Sequence, residues 1–324
     1  MWRALVHVCQ RWRYLVFASP GHLNLRLECT IDTRSREMLG VWPPFPIVIT
    51  DYSDSMFGVD NIVAALEQRD RVCRITLDDI PGSKMDDIVP AMLGPFPALE
   101  GIIFGAIDSE MVVVPDSFLC GSAPRLLWLT FHAIPFPALP TLLSSARNLV
   151  NLQLSDIPRS GYISPEVMVT CLSAMPRLSS LRFQFDSPRS FPNRESRRHP
   201  GPSLARSTLP ALYELICEGV DEYFEDFVAR IDTPVIHSLE ITFFPRHFYE
   251  FSQLSRFIGR VEAFKSPDDA KIQLSNGLAE ASFIPRTGTN EPAELSLGIS
   301  CSELHLQLRY FVQVCSSPCY PSPT

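Results

Sequence analysis

Apolar side chains recur along this chain in one frame, apolar-x-x-apolar-x-apolar-x-x-Ile. It reads LEGIIFGAI at 99–107, LLWLTFHAI at 126–134 and LVNLQLSDI at 149–157. VCRITLDDI (72–80), LSSLRFQFD (178–186), LYELICEGV (212–220) and IHSLEITFF (236–244) fit the same frame. Weaker copies centre on Leu25/Leu27, Ile47/Ile49, Ile272/Leu274 and Leu295/Leu297. The last apolar anchors, from Leu27 to Leu297, lie 22 to 34 residues apart with a mean of 27, which is the period of a stacked structural repeat. Pro-x-Leu precedes the frame at 97–99, 124–126, 176–178 and 210–212, and Ile-Pro follows it at 80–81, 134–135 and 157–158.

Each copy predicts a short strand, because alternate residues of a strand face opposite ways. Between the strands the spacing turns helical. SPEVMVTCLSAM (164–175) offers Ser164 as N-cap, Pro165 at the first helical position, and Val167, Met168, Cys171, Leu172 and Met175 on one face. DEYFEDFVARI (221–231), VDNIVAALEQ (59–68) and FYEFSQLSRFI (248–258) carry similar stripes, which read as core. Three buried anchors contribute roughly 5–8 kcal/mol. Ordering a repeat of this length costs about 1–2 kcal/mol for every residue. One copy cannot stand alone, whereas stacked copies share a continuous core. Strand, loop and helix in repetition predict an α/β solenoid built on a parallel sheet.

The 324 residues are 46 % hydrophobic, enough for a large core. The 29 prolines are spread along the chain as punctuation, nearly twice the ordinary share of about 5 %. A net charge of −8 opposes a nucleic-acid partner. No apolar run approaches the roughly 18–20 residues of a membrane span, and Arg3, His7, Arg11 and Arg13 interrupt any secretory signal. The nine cysteines are scattered without a C-x-x-C pair, so neither a disulfide framework nor a zinc knuckle is expected, and a cytoplasmic or nuclear setting fits.

These repeats, over about residues 22–300, resemble those of leucine-rich-repeat proteins of the F-box type, especially the large divergent families of mushroom-forming fungi. The resemblance implies a leucine-rich-repeat-like solenoid over 21–300, with a curved parallel sheet, helices on its convex side and a loop insertion at 186–208. A partial F-box-like helix is expected over 1–20, and a terminal helix with a disordered tail over 301–324. One departure stands out. Two places after the last strand anchor the family often has Asn or Cys, whereas here Asp, Ala or Gly predominates, so less uniform loops are expected.

The opening ALVHVCQRWRYL (4–15) resembles the C-terminal half of an F-box, whose apolar-x-x-Val-Cys-x-x-Trp-x-x-Leu pattern is matched by Leu5, Val8, Cys9, Trp12 and Leu15. The resemblance implies that these residues contact a Skp1-like adaptor of a cullin-RING ubiquitin ligase. The family's upstream Leu-Pro-x-Glu half does not precede them. Three expectations stand together: a truncated gene model, a protein that has lost adaptor binding, or a helix that caps the first repeat.

No nucleotide loop, H-E-x-x-H or nucleophile elbow occurs, so no catalytic residue, cofactor or metal is assigned. His247 with Glu250, and the acid pairs Asp86–Asp87 and Asp268–Asp269, read as a weak helical motif and as residues of loops or helix starts. The expected binding surface is the concave sheet face. Its outward positions are Arg74, Thr76, Asp78, Trp128, Thr130, His132, Asn151, Gln153, Ser155, Arg182, Gln184, Glu214, Glu218, Glu240 and Thr242. Trp128 leads, since Trp is enriched among binding hot spots. The Arg/Pro-rich insertion 186–208 reads either as a flexible surface loop or as a docking or phosphorylation segment. The expected function is substrate recognition for an SCF-type ligase, directed at an unidentified protein target. The alternative is a leucine-rich-repeat scaffold not attached to a ligase.

Overall fold

Alternation in the repeat frame resolves into short, mostly parallel strands joined by helices. The computed structural model describes residues 7–18, 23–51, 58–107, 113–191, 206–244, 252–264, 267–275, 277–285 and 293–301. The chain divides into two compact units, Met1–Ala146 and Arg147–Thr324.

In the first unit, α1 (Gln10–Phe17) precedes β1 (Leu25–Glu28), α2 (Ser35–Val41), β2 (Ile47–Asp51), α3 (Val59–Leu66), β3 (Val72–Ile80), α4 (Gly82–Ile88), β4 (Gly101–Ala106), β5 (Trp128–His132) and α5 (Leu139–Ser145). The strands lie in chain order and pair in parallel. Repeat anchors meet across the ladder: Leu27 faces Ile49, Leu77 faces Phe104, and Phe104 faces Phe131. Between β2 and β3 the register slips, and Ile49 faces Ile75. The inner face is filled by rings, with Phe118 stacked 6.2 Å from Phe104 and edge-on to Phe136 at 5.5 Å. Arg71 anchors the turn into β2 by donating to the carbonyls of Phe45 and Pro43, each at 3.1 Å.

The second unit contains β6 (Asn151–Ile157), α6 (Pro165–Ser173), β7 (Ser180–Phe185), β8 (Ser207–Thr208), β9 (Glu214–Gly219), α7 (Asp221–Ala229), β10 (Ile231–Asp232), β11 (Ser238–Phe243), α8 (Ser252–Arg260), β12 (Pro267–Ser275), β13 (Gly277–Pro285) and β14 (Glu294–Cys301). Its main sheet runs β6-β7-β9-β11-β14-β13-β12, and β8 pairs with β10 as a separate two-stranded ribbon. From β6 to β14 the pairing is parallel, with Leu154 facing Phe183, Phe183 facing Cys217, Cys217 facing Ile241 and Ile241 facing Leu297. Phe183 is wholly buried against Phe227 at 5.2 Å and Tyr223 at 5.7 Å. The Tyr223 hydroxyl donates to the Ile163 carbonyl at 3.1 Å, so a phenol inside this ring cluster keeps a polar partner. Glu225 receives the first amides of α8, from Gln253 at 2.7 Å and Leu254 at 2.9 Å, and thereby ties α7 to α8.

Several expectations are corrected. The weak copy at Ile272/Leu274 is not a parallel repeat. It lies in β12, which pairs antiparallel with β13, itself antiparallel to β14. The reason lies in Asn276-Gly277, which separates two alternating runs and favours a tight hairpin over a crossover. Val167 is exposed on α6 and Val169 is buried instead. Asp86 and Asp87 sit inside α4, past its start, and Asp268–Asp269 fall within β12. The flanks of the 186–208 insertion are structured. Phe191 is buried 4.3 Å from Phe185, and Ser207–Thr208 form β8, while residues 192–205 lie outside the described residues. His247, Glu250 and the segment 302–324 also lie outside them.

The slot two places after the strand anchor has a conformational role. Asp79, Ala133 and Asp156 adopt left-handed backbone, with φ of 55°, 54° and 50°. The left-handed residue breaks strict alternation, so Ile80, Ile134 and Ile157, one position later, turn back into the core. The ladder skips at the same places, between Leu77 and Ile80 and between Leu154 and Ile157.

Candidate protein-docking faces

On the outer face of the first unit, β4 carries Gly101, Ile103 and Gly105, its two glycines standing where neighbouring strands carry larger polar and aromatic groups. Gly101 lies in register between Arg74 on β3 and Trp128 on β5. A Cβ at Gly101 would overlap the Trp128 indole, so the missing side chain lets the ring lie across β4. There the Arg74 guanidinium sits 4.4 Å from the ring centroid in a cation–π contact. One row on, Thr76, Ile103 and Thr130 share a line. Gly105 pairs with His132, and a Cβ at Gly105 would overlap the Asp78 carboxylate. Arg74, Thr76, Asp78, Trp128, Thr130 and His132 therefore face outward together, around a half-buried aromatic plate with a cation on it.

The outer face of the second unit is acidic. Gln153, Arg182, Ile216, Glu240 and Ser296 form one row. Gln184, Glu218, Thr242, Gly298 and Glu280 form the next. Asn151, Ser180, Glu214, Ser238 and Glu294 flank them. Ser180 donates to the Glu214 carboxylate at 2.6 Å, Ser296 to Glu280 at 2.5 Å, and Gln153 to the Ser155 hydroxyl at 3.3 Å. Burial raises the Glu240 carboxyl above its ordinary range, Glu280 adds to the rise, and Arg182 opposes it. Burial likewise raises Glu218, helped by Asp156 and Glu240. Glu240 thus feels Glu280, Glu294 and Glu214 against the single opposing charge of Arg182.

Glu280, Glu294 and Ser296 escaped the sequence reading. Glu280 lies on β13, a strand no repeat copy marked, although the alternation LAEASF beside Asn-Gly signals it. Glu294 precedes, and Ser296 lies within, the weak copy at Leu295/Leu297.

The opening segment differs from the expected helix. Helix α1 begins at Gln10, and Cys9 is extended, with φ −160° and ψ 169°, so Val8 and Cys9 precede the helix. Leu5 lies outside the described residues. Val8 (64 % exposed), Trp12 (47 %) and Leu15 (54 %) face solvent together with the exposed Cys9. The helix end is tied down by buried Val16 and by Phe17, whose ring meets Trp42 edge-on at 6.2 Å.

Thiol chemistry is disfavoured at the buried Cys29, Cys171 and Cys217 and at the half-buried Cys73. Burial pushes the Cys29 thiol up to about 12 and raises Cys73, Cys171 and Cys217 as well, away from the thiolate a nucleophile needs. Among the described residues, no three His, Cys, Asp or Glu side chains gather as metal ligands, and no helix is long and apolar enough to cross a membrane. No family model matches the chain, and no curated protein matches it.

Proposed function

We propose that this protein is a protein-recognition module of leucine-rich-repeat type, acting as the substrate-recognition subunit of an SCF-type ubiquitin ligase without catalysis of its own. Recognition is carried by one observation: outward side chains stand at a regular spacing on rigid parallel strands, with Trp128 and Arg74 fixed across Gly101. Such a preorganised aromatic anchor loses little freedom on binding. The glutamate-rich face of the second unit selects a basic partner segment, because Lys or Arg there would offset the mutual repulsion that adds to the burial-driven rise of Glu218 and Glu240.

Attachment to a ligase rests on the F-box resemblance of the opening residues and on the exposure of Val8, Trp12 and Leu15. A Skp1-like adaptor that covers these side chains would bury an apolar patch that water now meets. Co-purification with the adaptor tests this, using the chain as given and one extended upstream in its gene. Capture by either form, abolished by Trp12→Asp, is the expected result. Capture by neither removes the ligase reading.

The second reading, a recognition scaffold without a ligase, is favoured by the packing of α1 through Phe17 onto Trp42 and Phe45, as a cap on the first strands would pack. It predicts that a chain lacking residues 1–20 still folds and still binds its target, and that Trp128→Ala abolishes that binding.

A further inference from the structure

The outer face of the first unit carries a charge pattern of its own. Register places Arg26, Val48, Arg74, Gly101 and Trp128 in one row across β1 to β5. The next row runs Glu28, Thr50, Thr76, Ile103 and Thr130, with a single charge at its far end. Arg26 and Arg74 are exposed and two strands apart, so their Cα atoms lie roughly 10 Å from each other. Val48 between them is buried, so a partner meets the two arginines and not the valine. Within the stacked pair, Arg74 is the exposed member and Trp128 the half-buried one. Gly101 fixes the indole, and the indole fixes the plane of the guanidinium. Among the described residues, no carboxylate forms an ion pair with Arg74.

We propose that Arg74 is the specificity-determining residue of this face and that it takes a carboxylate, an Asp or Glu side chain of the partner protein. Trp128 acts as its positioning residue, and Arg26 is the second cation along the row. The inference rests on the recognition reading above and names the partner chemistry for the first unit alone. A planar guanidinium offers two parallel N–H donors, which match the two oxygens of a carboxylate. A fork already held against an indole gives up less freedom on binding than a mobile side chain does. The surrounding charge selects a carboxylate over a phosphate. Glu28, Asp78 and Glu100 stand exposed around the two arginines, so three acids face two bases. One negative charge aligned on the fork is accommodated there, whereas a phosphate approaching two negative charges meets repulsion. A phosphate site is built on an arginine cluster, and here a single guanidinium is oriented by a ring.

The test pans the full chain against a random linear-peptide library, with Arg74→Glu panned in parallel. The wild-type chain is expected to enrich peptides that carry Asp or Glu at one fixed position. A synthetic copy of the leading peptide then loses about tenfold or more in affinity when that acid is replaced by its amide. On Arg74→Glu the acidic peptide fails to bind and its Lys-substituted copy binds instead, a reversal that misfolding does not produce. If Arg74→Glu does not fold, Arg74→Gln replaces it, and equal affinity for the acidic and amide peptides is expected. Trp128→Leu leaves an apolar support but frees the guanidinium, so it weakens the acidic peptide by about threefold and leaves the amide copy unchanged. Enrichment without a fixed acid, acidic peptides that bind Arg74→Glu equally well, or tighter binding of a phosphoserine copy overturns the proposal. Peptides that respond only to Glu240→Gln overturn it too, while the recognition reading stands. A library that yields no binding peptide overturns both.

Discussion

Gly101→Ala is the sharpest perturbation of the proposed recognition face. A methyl group at this position occupies the space of the Trp128 indole, so the ring must lift from β4. A tryptophan buries about 150–250 Å², and re-exposing roughly 100 Å² of it costs about 2.5 kcal/mol at ~25 cal/mol per Å². Separating the ring from Arg74 adds about 0.5–1 kcal/mol. The alanine returns about 0.4–1 kcal/mol by restricting the unfolded chain. A net loss of about 2–3 kcal/mol follows, measurable as a lower urea midpoint at unchanged m-value. The decisive assay is the double-mutant cycle with Trp128→Ala. Once the indole is gone, the added methyl group has nothing to displace, and Gly101→Ala becomes neutral or mildly stabilising. The coupling is therefore about 2–3 kcal/mol. An equal cost in both backgrounds would refute the reasoning, because it would locate the strain in the β4 backbone.

Three further outcomes follow from the packing and charge described above. Ala133 holds a left-handed φ of 54°, so Ala133→Gly relieves about 1–2 kcal/mol of strain against about 0.5–1 kcal/mol of added chain entropy, and raises the melting temperature slightly. The same change at Ala106, inside β4, lowers it. Phe183→Ala opens a cavity beneath Tyr223 and Phe227 and costs about 3–5 kcal/mol in denaturant titrations. Glu218 and Glu240 have raised carboxyl pKa values, so the folded chain holds protons that the unfolded chain has released. Their contribution to stability is complete below the ordinary glutamate range and is lost as pH rises through the raised values. Glu240→Gln therefore increases the urea midpoint more at pH about 7 than at pH about 4.5, and a pH-independent increase would contradict the assignment.

The strand positions were legible because their physics is local. A strand needs alternating apolar residues, and burial of one face selects which set points inward, so Leu27, Leu77, Phe104, Phe131, Leu154, Phe183, Cys217 and Ile241 could be named as anchors from spacing alone. Helices α3, α6 and α7 were legible for the same reason, at period 3.6. The outward positions followed automatically, since every second residue of such a strand faces away from the core.

What the linear pattern does not carry is the identity of neighbours. That the indole of Trp128 lies across Gly101 onto Arg74 depends on two parallel registers, and a slip by two residues would keep every anchor buried while separating the three. The gathering of Glu214, Glu218, Glu240, Glu280 and Glu294 likewise required β14 to pair with β11 and β13 to fold back beside it. The turn at Ile272/Leu274 from repeat to hairpin was decided by competition between a crossover and a tight Asn-Gly connection, which share the same apolar alternation. Burial alone reads periodicity, so the sequence determined which residues go inside. Pairing reads geometry, so only the tertiary structure decided which of the remaining residues meet.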